Sequence, residues 1–344
     1  MRAAALDAGE IALGVAWHDG RIVDVELVSQ RPHVAAALIG RPADAAVALV
    51  PSLFALCGKA QGRAATLALA AARGVDTPPH VDAAVAAEAM REHLWRLLLD
   101  LPPTLDMPAR RDLAERALPA AARGERAGVA RVLDDPFWPT LFAALAALPE
   151  LPCVDALLPN LDADATVAQW PRLDAALARW PTWQGEPAET GAHARYAGRN
   201  PAHAGPLAAR WQARCAEVWA WAGGRESLDF TSGVRDAAQR SDPLREAGGV
   251  SAAAMATGVG RALVATARGL LMHEITLEGE TIADYVIVAP TEWNFHPAGA
   301  LADWLIDAPV DSAGAVRALA AHAVAALDPC VATRITVTAV PPPL

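Results

Sequence analysis

Alanine-rich stretches interrupted by proline constrain this chain more than any other feature. Alanine and leucine favour helix and proline breaks it, so the sequence calls for many short helices. The clearest stretch covers residues 51–72 and ends at Gly74 and the Pro78-Pro79 pair. Residues 81–99 place Val85, Met90, Leu94, Leu97 and Leu98 at helical spacing and stop before Pro102-Pro103. From about 108 to 161 the Ala-Leu-rich sequence is cut often enough by proline to predict short helices. A further helix is expected over 206–222, carrying Trp211, Trp219 and Trp221, and 258–269 reads as another. Trp170, Trp180 and Trp183 fall in a Pro-containing connection. These rings are expected to fill the core and the spaces between helices.

Strand signals are confined to the ends. The first 30 residues alternate around His18-Asp19-Gly20-Arg21, which predicts a hairpin with Ile22, Asp24 and Glu26 facing opposite to Val23, Val25 and Leu27. An Arg- and Pro-rich loop over 31–44 follows. Residues 271–277 and 281–288 read as two strands joined by Glu278-Gly279-Glu280, and 334–340 as a final strand. With no internal repeat or low-complexity linker, the 344 residues read as one domain. It comprises a β-hairpin (1–30), a mostly helical body (51–265), a short β-hairpin (270–290) and a C-terminal helix and tail (300–344). The expected fold class is mainly α with a small β-element at its edge, an α+β protein.

Hydrophobic residues make up 53% of the chain, enough to fill a sizeable core. A net charge of −10 argues against nucleic acid or an anionic membrane as partner, since both demand basic patches. No apolar run is long enough to span a bilayer, and the first ten residues lack the apolar core of a signal peptide, so a cytoplasmic protein is expected. The cysteines, Cys57, Cys153, Cys215 and Cys330, are far apart and form no C-x-x-C pair, which favours thiols over a disulfide framework.

Three segments carry chemistry. In Leu56-Cys57-Gly58-Lys59-Ala60-Gln61-Gly62, a cysteine near a helix start is expected to have its pKa lowered, which favours thiolate. Neither His33 nor His80 is obviously placed to act as its base, and the same cysteine reads equally well as a small buried hydrophobe. Leu327-Asp328-Pro329-Cys330 reads as a turn before the final strand. Ala267-Arg268-Gly269 leads to His273, Gly279 and Tyr285, and then to Pro290-Thr291-Glu292-Trp293-Asn294. Alone, Arg268 fits a surface cation and His273 a core histidine.

Taken in order, these segments resemble the signature stretches of [NiFe]-hydrogenase large subunits. The best match runs over 267–294, with Ala267 in place of the family's proline. Glu189-Thr190-Gly191 with Ala194-Arg195 is similar to a further segment, and 40–58 to the approach to the N-terminal cysteine motif. Asp328-Pro329-Cys330 resembles the start of the C-terminal motif. The region from about 101 to 164 is unmatched, and the chain is much shorter than those subunits. The departures fall on the metal ligands. Ala55, Ala60 and Ala64 replace the Arg, second Cys and His of the first motif, and Thr333 and Thr336 take the later places of the second. Arg31-Pro32-His33-Val34 lacks the carboxylate of the family's Arg-Gly-x-Glu segment.

By this resemblance the chain keeps two thiols and loses both ligands that bridge nickel to iron, so hydrogen turnover and nickel binding are not expected. The combination is similar to the HupK/HoxV group of hydrogenase accessory proteins, which share the Leu-Cys-Gly-Lys-Ala-Gln stretch and the helix from Glu88 through Arg91-Glu92-His93-Leu94-Trp95-Arg96. The resemblance implies a truncated large-subunit-like helical core. It also implies a non-catalytic scaffold for assembly of the Fe(CN)2CO fragment, which is bound transiently. Cys57 and Cys330 would ligate iron, with Arg268, Pro290 and Thr291 around its diatomic ligands and Asp328, at the same cofactor site, orienting Arg268 or the Cys330 turn. Implied partners are a HypC-type chaperone with HypD, and the hydrogenase large subunit. The Glu88–Arg96 helix itself reads as a solvated face with i,i+4 pairing and has no assigned site role. Only 14 residues follow Cys330, so no proteolytic maturation is expected. The alternatives are a cofactor-free protein that mimics the large subunit to recruit maturation factors, and a redox enzyme with a mononuclear site.

Overall fold

The computed structural model of the chain describes residues 9–151, 167, 170, 172–196, 205–223 and 246–341. Cys153 lies outside them. Strands β1 (Glu10–His18) and β2 (Arg21–Ser29) pair antiparallel around a turn at Asp19-Gly20, both at positive φ. This is the backbone twist that two-residue hairpins prefer. Ala16 opposes Asp24 while Trp17 opposes Ile22, which leaves Val23 as an extra residue. The bulge resets the side-chain alternation. Ile22 therefore points into the core on the same side as Leu27, not with Asp24 and Glu26 as the bare alternation predicts, and Val23 is exposed.

The helix expected over 51–72 is two helices, α1 (Ala43–Leu53) and α2 (Gly58–Ala72). Phe54 turns to extended backbone and ends α1, and Cys57 stands immediately before α2. The preceding loop contains a 3₁₀ turn, Val34–Leu38. Beyond α2 comes β3 (Thr77–Val81), an edge strand, where Pro78 and Pro79 are tolerated. Asp82 caps α3 (Ala83–Trp95), accepting from the N–H groups of Ala84 and Val85. The chain then runs through a π turn, Arg96–Asp100, into α4 (Leu101–Thr104), so Pro102 and Pro103 begin a helical turn and do not end one. Helices α5 (Arg111–Ala122), α6 (Arg126–Leu133) and α7 (Phe137–Ala146) complete this half. They share a core with Trp211 and Trp219, the latter edge-on to Trp138 at 4.8 Å.

Next come α8 (Ala175–Arg179), the short ladder of β4 (Thr182–Trp183) and β5 (Glu186–Pro187), and α9 (Ala192–Tyr196). Helix α10 (Pro206–Ala222) has the bounds that the sequence predicts. The strands β6 (Gly249–Ala256), β7 (Val259–Thr266), β8 (Gly269–Glu278) and β9 (Thr281–Val288) form with β3 a five-stranded antiparallel sheet, ordered β3-β6-β7-β8-β9. One expectation is corrected here. Residues 258–269 hold a strand, not a helix, so the mostly helical stretch 51–265 also contributes β3, β6 and β7 to this sheet. A strand covered on both faces loses its alternation and reads as a continuous apolar run, which periodicity cannot tell from a buried helix. β7 is such a strand, buried from Gly260 to Thr266. The expected 270–290 hairpin is real, but it is the far edge of this larger sheet.

α2 lies across the sheet over β6, β7 and β8. Its approach depends on Gly260, where an added Cβ would come within 2.0 Å of the Ala72 nitrogen. After β9 come α11 (Pro290–Asn294), α12 (Ala300–Leu305) and α13 (Ala313–Leu327). The last strand, β10 (Ala332–Ala339), pairs parallel with β1 and closes a three-stranded sheet ordered β10-β1-β2. No helix among the described residues is long and apolar enough to cross a membrane.

Candidate functional site

Three chain breaks meet at one place: the gap between α1 and α2, the β7–β8 turn, and the end of α13. The first contributes Cys57. Its side chain makes no capping bond to α2. That role falls to Glu88 of α3, whose carboxylate accepts from the N–H groups of Lys59 (2.9 Å) and Ala60 (3.0 Å). The sulfur is thereby left free for other work.

The second break presents Arg268. Gly269 turns the chain sharply here at φ +131°, and an added Cβ would meet the Thr190 side chain at 2.3 Å. The guanidinium is 5% exposed, 3.2 Å from Glu92 and 3.5 Å from Asp328. Asn294 ties the β7–β8 turn to α11, since its amide donates to the Arg268 carbonyl at 3.2 Å. Its oxygen accepts from the Thr190 N–H at 2.8 Å.

The third break is Asp328, a left-handed cap (φ +55°) at the end of α13 that sets the direction of Cys330. Its buried carboxylate also faces Arg96 Nε at 2.7 Å, and Arg96 donates to the Pro329 carbonyl at 3.2 Å. Burial opposes ionisation of Asp328, but Arg268, Arg96 and Arg214 outweigh it and hold the carboxyl at about 2. Thr291, seated by Pro290 in the first turn of α11, closes the pocket. Its hydroxyl lies 3.1 Å from Cys330 Sγ, as a donor, and accepts the Cys330 N–H at 3.3 Å.

The structure thus brings together the six residues to which the resemblance gives a site role: Cys57, Arg268, Pro290, Thr291, Asp328 and Cys330. Cys57 and Cys330 are free thiols, close enough that a charge on Cys330 disfavours one on Cys57. The expected lowering of the Cys57 pKa is overturned. Burial, then the neighbouring sulfur, pushes its thiol up to about 12 against the pull of Arg268 and Gln61. Burial here outweighs the helix end, and the neutral thiol is the favoured form. Cys215 is fully buried in the helical core.

Sequence reasoning overlooked Arg31, Glu92, Arg96 and Glu292. The sequence pattern predicts a solvated face for Glu88, Glu92 and Arg96. Instead Glu92 is buried between Arg268 and Arg91, and Arg96 reaches Asp328. Their four-residue spacing on α3, continued into the π turn, was the available signal: a charged stripe can face a polar pocket as well as solvent. Arg31, in the segment lacking the family carboxylate, pairs with Glu292 of α11. Burial opposes its charge, but Glu292, Cys330 and Cys57 all favour it. Arg31 and Arg268 therefore each gain from negative charge on either sulfur.

Ala60 and Ala64, at the places of the missing Cys and His, are packed in the core, and Thr333 and Thr336 lie in β10 opposite Ile11 and Gly14. Among the described residues no three His, Cys, Asp or Glu side chains gather as a metal-ligand set. A cleft of roughly 930 Å³ lies on the outer side of α1, α2 and α3, and neither cysteine lines it.

The fold is that of [NiFe(Se)]-hydrogenase large subunits. The Ni-Fe-Se hydrogenase of D. vulgaris Hildenborough in its reduced state superposes with a TM-score of 0.58 at 15% identity, over 91% of this chain and 94% of that one. The Ni-Fe-Se hydrogenase of Desulfomicrobium baculatum gives 0.59 at 15% identity, over 92% and 95%. Residues 176–335 match the nickel-dependent hydrogenase family model. Sequence relatives narrow the class. Hydrogenase expression/formation protein HoxV of Cupriavidus necator is 33% identical over 89% of this chain and 91% of its own length. Hydrogenase expression/formation protein HupK of Azotobacter vinelandii is 33% identical over 96% and 99%. The chain belongs to this HupK/HoxV family of hydrogenase expression/formation proteins, and its role is in hydrogenase maturation.

Proposed function

We propose that the chain is a non-catalytic scaffold that transiently holds the Fe(CN)2CO fragment during assembly of the [NiFe]-hydrogenase active site. One observation supports this above all: two thiols share a pocket with two guanidiniums, Arg268 buried and Arg31 half-buried, and each guanidinium gains from charge on either sulfur. Such a pocket suits a metal fragment whose own ligands are anionic. Cys57 and Cys330 supply two thiolates to iron. Arg268 and the Pro290-Thr291 turn offer charged and hydroxyl donors where cyanide would lie. The thiol protons leave as the metal binds, because metal binding deprotonates cysteine even where burial resists it. Two thiols without bridging partners suit one iron and not a nickel–iron pair, so no nickel is held and no hydrogen is turned over. The partners on this reading are a HypC-type chaperone with HypD, as donor or acceptor of the fragment, and the hydrogenase large subunit.

The test is an infrared spectrum of the protein purified without air from cells expressing the maturation machinery. Sharp carbonyl and cyanide bands, lost in Cys57→Ala and in Cys330→Ala, are the expected result. A blank spectrum with maturation proteins still co-purifying would replace this reading with that of a cofactor-free interaction protein.

A further inference from the structure

Behind Cys57 a buried chain of polar side chains runs from α2 into the five-stranded sheet. Gln61, one turn along α2 and 2% exposed, points its amide nitrogen at Cys57 Sγ, 3.7 Å away. Its amide oxygen meets His273 Nε2 at 2.9 Å, and His273 Nδ1 meets the Tyr285 hydroxyl at 2.9 Å. His273 is fully buried in β8, opposite Ala262 and Ile287, and among the described residues no carboxylate touches it. The sequence singled out both His273 and Tyr285, and the pocket chemistry described above uses neither.

The direction of this chain is fixed by what each atom is able to do. An amide oxygen only accepts, so the imidazole nitrogen facing it carries the proton. A neutral imidazole then has Nδ1 bare, and the Tyr285 hydroxyl donates to it. Among the described residues the Tyr285 O–H has no other acceptor, so donating to Nδ1 is the arrangement that leaves no buried donor unpaired. This selects the tautomer, and the tautomer selects the amide. A reversed amide would bring NH2 against a protonated Nε2, placing two donors face to face in a dry site. We infer that Tyr285 and His273 are positioning residues that hold the Gln61 amide with its N–H toward Cys57, so that the sulfur is presented as a hydrogen-bond acceptor. A sulfur bound to a metal is an acceptor only, whereas a free thiol can also donate. The chain is thus pre-set for the ligated form of Cys57. This deepens the scaffold reading by naming what orients its first ligand, but the hydrogen-bond direction itself holds with or without metal.

Two measurements on the full-length metal-free chain test it. The first is nitrogen NMR of histidine-labelled protein, with His273 assigned by loss of its signals in His273→Gln. A proton on Nε2 and a bare Nδ1 are expected; a proton on Nδ1 would overturn the proposal. The second is the S–H stretching band of Cys57, isolated by subtracting the Cys57→Ala spectrum. It should fall at the frequency of a thiol that donates to nothing. His273→Leu, which frees the amide to turn its oxygen to sulfur, should move the band to lower frequency. His273→Gln, whose own amide can still donate to the Gln61 oxygen, should restore it. A band unchanged in His273→Leu would show that histidine does not orient the amide and would also overturn the proposal. Neither readout involves iron, so the scaffold reading can fail in the infrared experiment while this inference stands, and the reverse.

Discussion

Arg268 Nε lies 3.5 Å from Asp328 Oδ1, and the same oxygen lies 2.7 Å from Arg96 Nε, so one buried carboxylate serves two guanidiniums from different elements. Asp328 joins α3, the β7–β8 turn and the end of α13. Asp328→Asn isolates its charge, because asparagine also tolerates the left-handed backbone found there. Breaking a buried pair by removing one partner typically costs about 3–5 kcal/mol. The variant should unfold in urea with a midpoint shifted down accordingly, and Arg268→Gln in the same background should recover part of the loss. If Asp328→Asn is as stable as the parent, the carboxylate does not hold the pocket together.

Thr291 touches Cys330 Sγ with a donor while accepting from the same residue's N–H. Thr291→Val keeps the shape and removes both bonds, whereas Thr291→Ser keeps the hydroxyl. A hydrogen bond of this kind contributes about 1 kcal/mol net, roughly five-fold in an equilibrium. On the scaffold reading, the carbonyl and cyanide band intensity retained after gel filtration should fall by about five-fold in the valine variant and little in the serine variant. Equal losses in both would assign the effect to packing.

Glu88 caps α2 from a neighbouring helix, and this allows a cysteine to stand where a capping side chain usually does. Glu88→Ala removes both carboxylate bonds to the Lys59 and Ala60 N–H groups. Loss of a helix cap costs about 0.5–2 kcal/mol, so a clear drop in thermal midpoint is expected, with Glu88→Gln intermediate. If Cys57→Ser, which offers a local cap, reduces the drop in the Glu88→Ala background, the division of labour between the two residues is established.

Much of the pocket was legible because its residues sit at chain breaks, where glycine, proline and cysteine mark the sequence. Cys57-Gly58, Arg268-Gly269, Pro290-Thr291 and Asp328-Pro329-Cys330 are all of this kind. Its supporting charges were not, because Glu92 and Arg96 belong to a regular helix whose pattern is the same whether it faces solvent or a polar cavity. Arg31 was hidden for a different reason: its partner, Glu292, is some 260 residues away in sequence. Legibility followed the punctuation of the chain and not its exposure. Helix α10 is buried on nearly every side yet was read to the residue, because Pro206 opens it and Gly223 closes it. By contrast β7, covered by α2 on one side and bonded through Arg261 to the Val167 and Trp170 carbonyls, carried no alternation to read. The bulge at Val23 likewise left no trace in the residue pattern of β2, since it depends on how β1 pairs.

Acid should expose a second buried cluster, centred on Glu217. Glu217 of α10 is bonded to Arg195 through both oxygens and to His93 Nε2 at 2.8 Å. Burial would raise its pKa, but Arg195 and His93 outweigh it and hold the carboxyl at about 2. A carboxylate depressed on folding stabilises the native state fully above its ordinary value. That contribution is lost as pH falls from there toward 2, and a shift of this size is worth about 3 kcal/mol. His93 acts in the same direction but earlier: burial lowers its pKa, so below its ordinary value near 6.5 the unfolded chain takes up a proton that the folded chain refuses. Stability measured by urea unfolding should therefore decline from about pH 6.5 and again below about pH 4.5. Glu217→Gln should flatten the lower limb and His93→Gln the upper one. A lower limb unchanged in Glu217→Gln would place the acid sensitivity in other carboxylates.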